Sequence, residues 1–271
     1  MIRFVPHITT PAGACLTQDN WDELGIDYAV CSLSSLLMKP GLFYLQTLSD
    51  LREYLGWAKN LVLDASMLIL KDSEHFEIQS VYDGTRTKLS MQQFWMLVHH
   101  LRPRIVLLPA GVEKKEMPDL ASFTLPFFPL DSVASADADP YGLYGTAADW
   151  AKNNTLLSNA SIPLYIQDDE GVFPIQELAG FQTQIYYASD KPAMDACQGL
   201  VYHQGGTVSI TQKHFAFQFE ALEADCACST CKQGFTRAYL HHLFQSTPLL
   251  CQRLLIIHNI FWFQYASKSV S

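Results

Sequence analysis

Cys226-Ala227-Cys228-Ser229-Thr230-Cys231, followed further on by Leu254-Leu255-Ile256-Ile257-His258-Asn259, is the stretch on which the reading of this chain turns. Three thiolates and one imidazole form the soft and borderline donor set that a tetrahedral structural zinc ion prefers. Cysteines this close in sequence bridge one another poorly, so a disulfide is the weaker explanation. His258 is the favoured fourth ligand, because an unpartnered imidazole in so apolar a run is costly to bury. Cys251, His241 and His242 stay open for that place, and His258 could instead be a core histidine bonded to a backbone carbonyl. His241 and His242 are adjacent, so on a helix they point about 100° apart and cannot both face one ion.

Around that cluster, the 271 residues are 49% hydrophobic and 17% charged, enough for one large domain or two small ones. Met1 to Thr10 lacks the apolar core of a secretory leader. Leu249 to Phe263, interrupted by Gln252, Arg253, His258 and Asn259, is too short and polar to span a bilayer. Seven cysteines, three of them clustered, fit a reducing compartment, so a cytoplasmic location without membrane attachment is expected. The net charge of −9 argues against a general nucleic-acid binder. Residues 226 to 271 nevertheless hold Lys232, Arg237, Arg253 and Lys268 and no acidic residue, so a local basic face beside the metal is one expectation and a plain solvated surface the other.

Upstream, Tyr28 to Ser32, Leu61 to Asp64, Ile105 to Leu108, Leu164 to Gln167 and Ile185 to Ala188 read as buried parallel strands. Leu45 to Trp57 and Met91 to Leu101 have helical spacing of apolar residues. Alternating strands and helices predict an α/β fold with a parallel sheet or barrel. Asp131 to Gly145 reads as an exposed loop, and Gly205-Gly206 as a hairpin turn between Leu200-Val201-Tyr202 and Thr207-Val208-Ser209-Ile210.

Taken together, Cys226-x-Cys228-x-x-Cys231, Thr236-Arg237-Ala238-Tyr239-Leu240-His241-His242-Leu243 and Ile257-His258-Asn259 resemble the zinc module of the tRNA-guanine transglycosylases. Leu16-Thr17, Leu24-Gly25, Met38-Lys39-Pro40-Gly41, Gly56-Trp57 and Leu63-Asp64-Ala65-Ser66 are similar to the family's upstream motifs in one ungapped register, continued by Asp83-Gly84, Leu89 and Ile105. Pro192, Ala196, Gly199, Gly206 and Ile210 match its hairpin region. The resemblance implies a TIM-type (β/α) barrel over 1–198, expected to be incomplete or distorted, and a hairpin with a zinc-binding helical module over 199–271. It also implies a structural Zn2+ held by Cys226, Cys228, Cys231 and His258.

The family's reaction centre is matched far less well. Its nucleophilic aspartate corresponds to Ala188, and a methyl group cannot form a glycosyl ester. A base-recognising aspartate corresponds to Ala110, a histidine to Ser35, and a stacking and bonding pair to Leu68 and Ile69, while the family's G-G-L-A-V-G-E loop is not found. Two matches survive: Asp64 at the acid–base aspartate and Gln167 at a base-contacting glutamine. Asp64 could equally cap a helix, and Gln167 could simply end a strand. Asp190, two residues past Ala188, would point to the same side if the strand continued and could be a displaced nucleophile, although Ser189-Asp190-Lys191-Pro192 also reads as a turn.

The resemblance therefore predicts a 7-deazaguanine (queuosine-type) tRNA-modification protein without catalysis of its own. It would be an accessory subunit paired with an intact transglycosylase, or a homodimer, with tRNA reached through the basic C-terminal module. Phe261, Trp262, Phe263 and Tyr265 could form a protein interface or pack internally. The alternatives are an active base exchange or N-glycosidic hydrolysis using Asp64 and Asp190, and a stand-alone deazapurine-binding protein using Gln167.

Overall fold

The structure is a computed structural model that describes residues 1–72, 74–79, 84–120, 123–132, 141–153, 161–171, 178 and 181–268. The chain divides into two compact units, one made of Met1–Thr9, Asp27–Gln167 and Phe181–Ala188, the other of Thr10–Ile26, Asp168–Gly180 and Ser189–Ser271.

The first unit is an eight-stranded parallel sheet. Its strands are β1 (Ile2–Val5), β2 (Tyr28–Ser32), β3 (Asn60–Asp64), β4 (Ile105–Leu107), β5 (Leu125–Pro129), β6 (Gly142–Thr146), β7 (Leu164–Gln167) and β8 (Ile185–Ala188). From β2 to β8 each strand pairs with the next in sequence, and β8 pairs with β1, the order of a TIM-type barrel. The remaining seam, β1 against β2, is the irregular one: a bridge between His7 and Val30 closes it, with Val30 N donating to Pro6 O at 2.9 Å and Ile8 N to Val30 O at 3.1 Å. The expected distortion lies there and in the helical layer. Among the described residues, only the short 3-10 turn Lys114–Glu116 lies between β4 and β5 and Leu130–Ser132 between β5 and β6.

Residues of alternate parity along the strands fill the barrel interior. Tyr28, Val30, Val62, Leu107, Phe127 and Tyr144 belong to one buried cluster with Tyr165, Tyr186, Val5 and Ala188. Aromatic rings take the place of the branched aliphatics common in such barrels: Tyr28 and Tyr186 lie 5.1 Å apart, and Phe127 meets Tyr186 edge-on at 5.9 Å.

Three of the barrel strands, β1, β5 and β6, are absent from the sequence reading, the last two for a physical reason visible here. Leu125-Pro126-Phe127-Phe128-Pro129 carries two prolines, which ordinarily exclude a central strand. In the observed register Pro126 faces the chain before β6 begins, so no ladder bond is lost. Pro129 would face the carbonyl of Leu108, and the Tyr144 hydroxyl donates to that oxygen instead. The stretch from Asp131 to Gly145, expected to be loop, contributes Gly142–Thr146 to the barrel, and 133–140 fall outside the described residues. Glycine at 142 makes room for an aromatic interior, because a Cβ there would sit 2.3 to 2.5 Å from three ring atoms of Phe127. Gly142→Ala is therefore expected to destabilise the barrel by about 1–3 kcal/mol through overpacking. A urea midpoint indistinguishable from wild type would show that the Phe127 ring can move aside.

The helix expected over Leu45 to Trp57 is a correction. It is two short helices, Leu42–Leu45 and Leu51–Leu55. Asp50, in extended backbone, caps the second by accepting from Arg52 N at 2.8 Å, and Gly56 in the left-handed region ends it. Cap chemistry overrides the apolar period. The expected helix Met91–Leu101 is present with a reciprocal Ser90–Gln93 capping box, preceded by a separate antiparallel sheet of Ile69–Leu70, His75–Gln79 and Arg86–Ser90.

The second unit contains helix α1 (Lys191–Cys197), the hairpin β9 (Leu200–His203) and β10 (Gly206–Ser209), and helices α2 (Ser229–Lys232), α3 (Arg237–Ser246) and α4 (Pro248–Lys268). The hairpin pairs antiparallel around Gln204-Gly205, as the paired glycines predict. Its backbone is held by α4. Asn259, fully buried, accepts from Tyr202 N at 3.0 Å and donates to the carbonyls of Leu200 at 2.9 Å and Pro192 at 3.1 Å. Even α4 is not membrane-like: among the described residues no helix is long and apolar enough to cross a bilayer.

Candidate metal centre and barrel mouth

Cys228 caps α2 with its own sulfur, accepting from Cys231 N at 3.4 Å, which turns the intervening residues back on themselves. Thr230, inside that turn, donates to Leu254 O at 2.7 Å and ties it to α4. His258, one helical turn beyond Leu254, thereby faces the sulfurs. Its Nδ1 lies 3.7 Å from Cys226 Sγ, 3.5 Å from Cys228 Sγ and 3.3 Å from Cys231 Sγ. All four ligand atoms fall within 4.8 Å of one another. Metal–sulfur bonds of about 2.3 Å and a metal–nitrogen bond of about 2.0 Å in tetrahedral array require S···N separations of about 3.5 Å. The residues fit a metal ion.

The surroundings fix the imidazole. His258 Nε2 lies 2.7 Å from the carbonyl of Tyr202, so that nitrogen carries the proton and Nδ1 is left with its lone pair toward the sulfurs. That lone pair belongs to the neutral ring: burial opposes a charge here, but hydrogen bonds with Cys226 and Cys228 outweigh it and raise the pKa to about 10, so a metal ion binding at Nδ1 would displace a proton. Hydrogen bonds from Cys228 and then Cys231 hold the Cys226 thiol far below the usual thiol range. The same sulfur–sulfur hydrogen bonds, to Cys226 first and then Cys228, push the Cys231 thiol far up, so the coupled group favours one thiolate, at Cys226, and a bound cation would have to displace the remaining thiol protons.

The open alternatives for the fourth ligand close here. Cys251 is buried elsewhere, donates to Leu240 O at 3.3 Å, and is pushed up to about 12 by burial. The ring of His241 sits 2.7 Å from Ile210 O and 3.0 Å from Gln245 Nε2, and His242 is exposed. The basic face beside the cluster is smaller than its composition suggests. Arg237 directs its guanidinium inward, to Ala221 O at 3.1 Å, Leu222 O at 2.9 Å and Gln218 Oε1 at 3.1 Å. The side chain of Lys268 lies outside the described residues, as does Asp83. Phe261, Trp262 and Phe263 are half-buried and Tyr265 is exposed.

In the barrel, reacting groups are expected at the C-terminal strand ends. Asp64 shares the inward parity of Val62, Gln167 that of Tyr165, and Ala188 that of Tyr186. Asp64 and Gln167 do meet: Gln167 Nε2 donates to Asp64 Oδ2 at 3.2 Å, while Asp64 Oδ1 accepts from Ser66 N at 2.9 Å. The carboxylate therefore serves both a local turn and the mouth. Burial first, and then the charge on Asp64, raise the Tyr144 phenol well above its usual range, so it stays a hydrogen-bond donor. Ala188 is wholly buried, and Leu68 is buried while Ile69 and Ala110 are exposed. Ser35 N is engaged by Ser32 Oγ at 3.3 Å. Of the eight residues that end the barrel strands, Val5, Ser32, Asp64, Leu107, Pro129, Thr146, Gln167 and Ala188, only Asp64 is ionisable.

Asp190 belongs to the second unit. The strand stops at Ala188, and Asp190 precedes α1 in helical conformation, so strand alternation does not govern its direction. It is buried; its N–H donates to Asp169 Oδ1 at 2.8 Å and its carbonyl accepts from Met194 N at 2.9 Å.

An eight-stranded parallel barrel chain carrying a compact Cys3His cluster is a barrel protein of the metal-module type. The comparisons with known proteins make this specific. The family model described as queuine tRNA-ribosyltransferase matches residues 187–270, which include the hairpin and all four cluster ligands. The queuine tRNA-ribosyltransferase of Treponema denticola is 24% identical over 311 aligned residues, covering 95% of this chain and 82% of its own. That of Chromohalobacter salexigens is 22% identical, covering 96% of this chain and 83% of its own. A shorter match to the enzyme of Lawsonia intracellularis reaches 43% identity over 72 residues, 27% of this chain and 19% of that relative. The chain belongs to the tRNA-guanine transglycosylase superfamily.

Proposed function

We propose that this chain is a zinc-binding, catalytically silent member of the superfamily that serves as an accessory subunit in 7-deazaguanine modification of tRNA. The observation that carries the reading is the composition of the barrel mouth, where a single carboxylate, Asp64, ends the eight strands and the position of the family's nucleophile is Ala188. Exchange of a base through a covalent glycosyl intermediate needs one carboxylate as nucleophile and a second group for proton transfer. Asp64 can supply only one of these roles. The donor set and spacing of the Cys226, Cys228, Cys231 and His258 cluster support a structural zinc ion, which would hold α2 and α4 together and act on no substrate.

As an accessory subunit the chain acts in the cytoplasm through association with an intact transglycosylase or with a second copy, and contributes to tRNA binding through the metal module. The purified chain, mixed with tRNA and labelled guanine, is expected to incorporate no label and to form no covalent adduct, while addition of an intact relative restores exchange. Label incorporation by the chain alone, lost in both Asp64→Ala and Asp190→Ala with zinc and folding retained, would establish the competing catalytic reading. Activity unaffected by the partner would remove the accessory role.

A further inference from the structure

The N-terminal end of the barrel, opposite to the strand ends discussed above, carries a cavity of about 300 Å3 lined by Arg52, Lys59, Asn60, Arg102, Arg104 and Phe123. Asn60 opens β3 and Arg104 immediately precedes β4, so about 13 Å of strand separates this cavity from Asp64. Four cations lining one cavity is unexpected in a chain of net charge −9. Like charges gathered this way repel one another unless an anion sits among them.

The carboxylates nearby account for only part of that charge. Asp50 lies against Arg52, and Asp27 lies 3.9 Å from Lys59 and 3.3 Å from Arg3. Glu53 also faces Arg52 electrostatically. Arg102 and Arg104 have no ion pair within 4 Å among the described residues, although the Asp50 carboxylate that pairs with Arg52 also feels the charge of Arg102. Both guanidinium groups are instead positioned by one residue: Arg102 lies over the Phe123 ring at 5.0 Å, and Arg104 Nη1 donates to Phe123 O at 2.8 Å. A guanidinium has five N–H donors in a rigid fork, so most of those on Arg104 remain for a ligand. The backbone of Arg102 adds a second indication. It ends the Met91–Leu101 helix at φ 51°, and it is the only described non-glycine residue in the left-handed region. Glycine or asparagine is favoured at such a place, so an arginine kept there in a strained conformation points to a use for its side chain.

We propose that this cavity at the N-terminal end of the barrel binds a phosphate group through Arg102 and Arg104, with Arg52 and Lys59 completing the positive wall. Two planar forks and two further cations suit a tetrahedral oxyanion bearing more than one charge better than a single carboxylate. The phosphate could be that of a small phosphorylated molecule or of an RNA backbone; the chemistry of recognition is the same, and the experiment separates them. The inference is independent of the reading of the catalytic mouth.

The test is calorimetric titration of the full chain at 0.1 M salt with inorganic phosphate, pyrophosphate, a short single-stranded RNA and, as a polyanion without phosphorus, citrate. Saturable binding of at least one phosphate ligand is expected, weakened about tenfold or more by Arg102→Gly and by Arg104→Gln through loss of charge-assisted bonds. Arg102→Gly is the decisive variant, because glycine accepts the left-handed backbone and the fold should melt no lower than wild type. Pyrophosphate binding that RNA does not displace identifies a small phosphorylated ligand; displacement by RNA, with a strong salt dependence, identifies the backbone. Absence of saturation by every phosphate ligand, equal affinity in the Arg102→Gly chain, or citrate binding as tightly as pyrophosphate would overturn the proposal.

Discussion

Cys228→Ser is expected to empty the metal site and to abolish the cooperative melting of the second unit. Structural zinc contributes about 10 kcal/mol or more of apparent binding free energy in small modules, and that energy becomes folding energy where the site forms only in the folded chain. Here the site depends on folding, because its ligands come from the α2 turn and from α4, some thirty residues apart, and meet only when Thr230 docks on Leu254. Cys228 is the most buried of the three cysteines, and its sulfur also caps α2, so serine there removes a ligand and shortens the reach of a cap. Metal analysis should give one zinc per wild-type chain and much less than one for the variant, with a thermal transition that chelator reproduces in wild type. Cys251→Ser is the matched control, since Cys251 bonds Leu240 O away from the cluster and its loss should leave stoichiometry intact. A Cys228→Ser chain that keeps a full equivalent of zinc and its melting temperature would remove the cluster from the account.

The second large effect concerns the neighbour of the histidine ligand. Asn259→Ala should destabilise the second unit by about 3 kcal/mol, because it leaves the buried carbonyl of Pro192 and the partly buried Tyr202 N–H and Leu200 carbonyl without their partner, at about 1–3 kcal/mol for a fully buried group and less for the other two. Asparagine suits the place because it offers an acceptor and two donors on one planar group. Asn259→Asp keeps the acceptor but turns a carboxylate toward two carbonyls, and it should be no better than alanine. The effect should reach the metal. Tyr202 gives its N–H to Asn259 and its carbonyl to His258, so freeing that peptide loosens the bond that orients the imidazole. Urea unfolding and competitive zinc affinity measure the two consequences separately; a loss of unfolding free energy below about 0.5 kcal/mol would show that water replaces the lost side chain.

How much of this was legible in advance depended on whether local chemistry or distant packing governed each element. Met91–Leu101 was readable because its apolar period and its Ser90 cap agree. Leu45 to Trp57 was misread because Asp50 and Gly56 break an otherwise helical period. Strands β5 and β6 were hidden for a different reason. Prolines at 126 and 129 and glycine at 142 count locally against a strand, and only the barrel register shows that the missing N–H groups are dispensable and that Gly142 stands where Phe127 needs space. Asp64 and Gln167 were picked out by resemblance, yet their hydrogen bond depends on strands joined by residues more than a hundred positions apart. The basic cavity was illegible, since Arg52, Lys59, Arg102 and Arg104 are scattered singly through an acidic sequence and form no run.

By itself the sequence determined the three sulfur donors of the candidate metal site, because the Cys-x-Cys-x-x-Cys turn is written in short-range spacing and the soft chemistry of sulfur. It also placed an alanine, Ala188, where the resemblance puts the family's nucleophile, and an alanine cannot acquire a carboxylate from its surroundings. Which imidazole completes the set, which strands close the barrel, and which arginines stand together were decided only by tertiary structure. Those outcomes depend on parity, register and distance between segments far apart in the chain, and no local pattern encodes such distances.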